Sequence, residues 1–156
     1  MQVLAIDEML FWQAFDRDVV FHDTYPQSAY LDRKSGEILW VYEEDEAAHM
    51  DVGIPPEENA AARRLVAAAA DRYLEIPGLD HGDHHEILRE FLASNWTDDE
   101  KLKSRARAAY FGSIGGWKEA VGDERVVHAF YDFRERRTKQ MAEDFLRRHG
   151  IEPQWS

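Results

Sequence analysis

The densest set of potential ligand-bearing side chains lies in Asp80-His81-Gly82-Asp83-His84-His85-Glu86. Imidazole nitrogens and carboxylates are donors that zinc, manganese and iron accept, and His81 stands three and four residues before His84 and His85. On a helix those spacings bring side chains together. Asp80, His81, His84 and His85 are therefore candidate ligands for a divalent metal such as zinc or manganese, and through it for a metal-dependent hydrolase. No known metal motif is completed. The H-x-H-x-D-H of the metallo-β-lactamase fold needs an earlier His that Leu79 does not supply, and H-E-x-x-H is absent. An HD-type phosphohydrolase needs a distant His and Asp that cannot be placed. The favoured reading is a polar helix start, capped by Asp80 or Asp83, with the histidines facing water and no cofactor.

A second constellation runs from Tyr110 through Gly112-Ser113-Ile114-Gly115-Gly116-Trp117-Lys118. A glycine loop before a helix can offer backbone N–H groups to an anion. A P-loop, however, needs G-x-x-x-x-G-K-[ST] after a strand, whereas here a helix precedes and Trp117 separates Gly116 from Lys118. A turn between helices fits better. Ser113 sits in G-S-I-G and not in a nucleophile elbow. Tyr110, Phe111, Trp117, Phe130, Tyr131 and Phe133 are close enough in sequence to form an aromatic cluster. Core packing is its default, and a ligand groove or stacking platform the alternative. On that alternative the ligand or partner surface comprises Tyr110, Gly112, Gly115, Gly116, Trp117, Lys118, Tyr131 and Arg134. The acidic run Glu43-Glu44-Asp45-Glu46 lacks the spacing of an EF-hand loop and reads as a solvated loop.

Charge and composition narrow the functions. The net charge is −12, but it is uneven: residues 1–96 hold 7 Lys+Arg against 20 Asp+Glu, and residues 97–156 hold 12 against 11. The acidic part repels nucleic acid. Basic runs at Lys101–Arg107 and Arg134–Lys139 keep nucleic-acid binding as a third, disfavoured reading, with a solvated helix surface preferred. With 44% hydrophobic and 12% aromatic residues in 156, the composition is that of a globular chain that can bury a core. There is no cysteine, which removes disulfides and thiolate chemistry and suits a cytoplasmic location. No apolar run is long enough to cross a membrane. MQVLAIDEML, with two acids and no early Lys or Arg, does not read as a signal peptide.

The elements that must position these residues read as follows. Residues 3–18 have near-helical spacing of Leu4, Met9, Leu10, Ala14 and Phe15. SAYLDRKSGEILWVYEED is a hairpin over 29–42, turning at Arg33–Gly36. Pro55-Pro56 open an Ala-rich helix from Glu57 to about Arg72, narrow enough to pack closely, and 73–77 is a third strand. Helices are expected over 82–94, from a Thr97–Glu100 capping box to about Phe111, and over 117–121. A long stretch from Asp123 to His149 ends at Gly150 and would span about 40 Å if continuous. Its middle, RERRTKQ, carries no apolar face, so the helix either crosses a solvent gap or breaks near Thr138. The tail docks through Ile151 and Trp155.

YLDRKSGEILWVYEED, RYLEIPGLDHGDHHEILREFL and AYFGSIGGWKEAVGDERVVHAFYDFRERRTKQMAEDFLRRHGIEP, in that order, resemble a bacterial family of uncharacterised proteins, the one numbered 0158 among the UPF families. They cover about two-thirds of the chain. The chain departs from the family pattern at Gly115-Gly116-Trp117-Lys118 and at Val127–Tyr131. The resemblance implies an α+β fold in a soluble bacterial protein and carries no activity with it. The expectation is a single α+β domain: a small antiparallel sheet of about three strands, packed by five to six helices, with a long C-terminal helix. Its expected function is a non-catalytic binding or regulatory module for a protein or small ligand. The sequence does not set an oligomeric state.

Overall fold

The computed structural model describes residues 1–16, 27–43 and 54–156. Glu44, Asp45 and Glu46 of the acidic run lie outside the described residues. Five strands and six helices are present among those described. The fold is α+β, and the packing divides into two compact units, residues 1–79 with 143–156, and residues 80–142.

In the first unit, β2 (Gln27–Asp32) and β3 (Ile38–Tyr42) form the expected hairpin, and β4 (Tyr73–Ile76) pairs antiparallel with β2 on its other side. Asp32 shapes the turn by accepting from the backbone N–H groups of Lys34 and Ser35. Gly36 closes it at φ +78, and a Cβ there would stand 1.9 Å from the Ala5 carbonyl oxygen. Only glycine tolerates both the positive φ and that approach.

The N-terminal segment differs from its expected helix. Gln2–Ile6 is a strand, β1, and the helix α1 begins only at Glu8 and ends at Phe15. The strand alternates, with Leu4 and Ile6 buried and Val3 and Ala5 exposed. Its partner is β5 (Ile151–Trp155), parallel, with Leu4 opposite Pro153 and Ile6 opposite Trp155. The tail thus docks as a strand, with Ile151 fully buried and the Trp155 ring 5.5 Å from Phe11. Asp7 separates strand from helix, its carboxylate accepting from Leu10 N–H as an N-cap.

The Ala-rich helix α2 runs Pro56–Ala68, short of the expected Arg72, and most of its alanines are solvent-facing. It packs against β3. Its buried residue is Asn59, hydrogen-bonded to the backbone of Tyr42.

The second unit holds α3 (His81–Ala93), α4 (Glu100–Ala108), α5 (Ile114–Val121) and most of α6 (Glu124–Arg148). The cap of α4 is Asp99, which accepts from Lys101 and Leu102 N–H, whereas Thr97 only accepts from Asp99 N–H. The expected capping box does not form: the cap lies two residues later, and Leu102 at the third helical position has no side-chain acceptor to return the bond. Helix α5 starts three residues before the expected Trp117, with Ser113 as N-cap, and ends at Gly122 in the left-handed conformation. Helix α6 is continuous through RERRTKQ: Thr138 is buried, and its hydroxyl donates to the Arg134 carbonyl one turn earlier. The buried residues Ile87, Leu88, Phe91, Trp117, Val126 and Phe130 supply this unit's core.

Candidate functional site

All candidate residues named above belong to the second unit. Asp80 is committed to structure. It caps α3 by accepting from Asp83 N–H, and Asp83 returns the bond by accepting from Asp80 N–H, a reciprocal capping box. The histidines do not all face water, as a simple polar helix start would have them. His81 is exposed, but His84 and His85 are buried.

The three imidazoles also do not converge. His84 stands on one side with its Nδ1 3.4 Å from Arg134 Nη2, so the guanidinium donates to that nitrogen. His85, one turn after His81, places its Nε2 2.9 Å from His81 Nε2, with the rings 69° apart. The far nitrogen of His85, Nδ1, is hydrogen-bonded to the Tyr110 hydroxyl. Tyr110 thus belongs with the histidines and not with the glycine loop. Burial foremost, then the electrostatic influence of His81, Arg89 and His84, lowers the pKa of His85. Among the described residues no three His, Cys, Asp or Glu side chains group as a metal site.

The aromatic set divides between core and surface. Trp117, expected on the ligand surface, is fully buried. Its ring meets Phe91 and Phe130 edge-on, and its Nε1–H donates to the Ala106 carbonyl at 2.8 Å, satisfying an acceptor left open at the end of α4. Gly115 and Gly116 lie in the first turn of α5 and form no loop. A Cβ at Gly116 would stand 2.6 Å from the Ser113 hydroxyl, so the residue serves the cap. Gly112 has φ +101 in the bend before α5, beside the highly exposed Phe111.

Lys118 and Tyr131 do come together. The Lys118 ammonium lies 4.5 Å from the centre of the Tyr131 ring and donates to the Tyr131 hydroxyl at 2.5 Å. They border an open groove of about 500 Å³ between α5 and the start of α6, completed by Glu119, Gly122, Asp123, Glu124, Val127 and His128. Nothing in the spacing pointed to the acidic residues at its rim. Asp123 is held by Arg125, whose hydrogen bonds lower its pKa to about 2. Arg105 also reaches it, at 3.4 Å.

Several members of the basic runs are tied down within the unit. Lys103 is buried against Asn95, Arg105 meets Asp123, and Arg107 donates to the Leu92 carbonyl. Arg137 donates to Glu90 at 2.7 Å.

No protein-family model matches the chain, and no curated protein or solved structure matches it.

Proposed function

We propose that this chain is a non-catalytic binding module, and that the groove beside Lys118 and Tyr131 receives a basic side chain of a partner protein. The observation that carries the reading is the pairing of an exposed, oriented aromatic ring with a groove of ligand size. Tyr131 is 46% exposed yet positioned by Lys118, and 500 Å³ falls within the range of small-ligand pockets. Partly exposed tyrosines are frequent anchors of protein interfaces. Val127 supplies apolar surface, and with Asp123 already paired to Arg125 and Arg105, Glu119 and Glu124 still outnumber Lys118 among the charged lining residues. A basic residue fits that lining.

The pairing of Lys103, Arg105 and Arg137 with carboxylates weighs against nucleic acid. No helix among the described residues is long and apolar enough to cross a membrane. A bacterial cytoplasmic setting, as the family resemblance and the cysteine-free composition suggest, is part of the same proposal. The test is selection of a displayed peptide library on the full-length protein. Enrichment of Arg- or Lys-bearing peptides, with binding at least tenfold weaker to Tyr131→Ala, supports the reading. Failure to enrich peptides, or peptides indifferent to Tyr131→Ala, overturns it.

A further inference from the structure

We infer that His81 and His85 form a two-histidine site for a single Cu²⁺ or Ni²⁺ ion, with water completing the coordination. The two Nε2 atoms already face each other at 2.9 Å from successive turns of α3. Two nitrogens held about 2.1 Å from one ion and at right angles to each other stand about 3.0 Å apart, whereas a tetrahedral site needs about 3.4 Å. A small turn of the exposed His81 ring reaches either spacing from the hydrogen-bonded pair, so the choice of ion follows the affinity order of imidazole sites, in which Cu²⁺ stands highest and Ni²⁺ exceeds Co²⁺, Fe²⁺ and Mn²⁺.

In the metal-free pair one Nε2–H donates to the other Nε2. When His85 carries its proton on Nδ1 and donates to Tyr110, its Nε2 presents a lone pair. The proton between the rings then belongs to His81. Moving it to His81 Nδ1, through the water that bathes this exposed ring, frees the second lone pair with no net release of a proton. Tyr110 orients His85 in the way that hydrogen-bonded neighbours commonly orient ligating histidines. The nearby cation Arg89 is paired with Glu86 at 3.3 Å, which reduces its opposition to a metal ion. His84 stands outside this pair, its Nδ1 accepting from Arg134.

The experiment uses tag-free, metal-stripped full-length protein. Ni²⁺ at a hundredfold its dissociation constant should raise the melting midpoint by about 5–10 °C. His81→Ala, a change at an exposed position, should abolish the rise, and His128→Ala should keep it. Electron paramagnetic resonance of the Cu²⁺ form should show two coordinated nitrogens. No rise with Ni²⁺, a rise that survives His81→Ala, or fewer than two nitrogens would overturn the assignment.

Discussion

Asn59 and Tyr42 are joined by a two-way hydrogen bond: Tyr42 N–H donates to Asn59 Oδ1 at 2.9 Å, and Asn59 Nδ2 donates to the Tyr42 carbonyl at 3.0 Å. β3 is an edge strand of its sheet, and a single side chain from α2 stands where a further strand would otherwise pair. Asn59→Leu would leave a buried N–H and a buried carbonyl unpaired, so it should destabilise by about 2–4 kcal/mol. Urea unfolding of the variant checks this, and a cost below about 1 kcal/mol would deny Asn59 that role.

Trp117 should prove a core residue. Trp117→Ala removes a fully buried indole and should cost about 3–5 kcal/mol. Trp117→Phe keeps most of the packing but orphans the Ala106 carbonyl, at about 1–3 kcal/mol. Thermal melts of both variants should rank them in that order.

Gly36→Ala should be costly despite adding one methyl group. The Cβ collides with the Ala5 carbonyl oxygen, and φ +78 disfavours alanine. A loss of about 2 kcal/mol or more is expected, read by denaturant midpoint. Gly112→Ala, with open space around its Cβ position, should pay only for its backbone conformation.

Asp32 supplies a pH dependence of known sign. Arg72 donates to both its oxygens, at 2.8 and 2.7 Å, and this pairing holds its pKa far below the ordinary 3.8. A carboxyl depressed by folding contributes stability that is present above its unfolded pKa and is lost as pH falls through the folded value. Denaturant midpoints should therefore fall as pH drops below about 4, and Asp32→Asn should flatten that part of the profile. An unchanged acid limb in the variant would assign the loss to other carboxylates.

Tyr110→Phe should weaken Ni²⁺ binding about tenfold or more while leaving His81 and His85 in place. Isothermal titration would measure it. Equal affinity in the two proteins would remove Tyr110 as a positioning residue.

The hairpin was legible because its information is local: β-rich runs flank Arg33–Gly36, and the turn needs a glycine. β1 was not legible. A five-residue strand becomes one through its pairing with Ile151–Trp155, almost the whole chain away, and Leu4, Met9 and Leu10 suggest helical spacing until that partner is known. Pro153 likewise argues against a strand in β5, yet proline is tolerated at the edge of a two-stranded pair. The continuity of α6 rests on Thr138, a polar residue whose hydroxyl is satisfied inside its own helix and which can therefore be buried. At the histidines, the cap at Asp80 follows from residue types. Which imidazole turns to Arg134 and which to Tyr110 depends on residues 50 and 25 positions further on. The groove was half legible: Lys118 and Tyr131 were named, but its acidic rim emerges only when α5 and α6 meet.

Amide-resolved NMR titration locates what the groove binds. The probes are an Arg-Trp-Arg tripeptide amide and a Glu-Trp-Glu control, each added to the full-length protein. Shifts with the basic peptide should centre on Lys118, Gly122, Val127 and Tyr131, with little response to the acidic one. Equal responses to both peptides, or shifts confined to residues away from that groove, would contradict the proposed site.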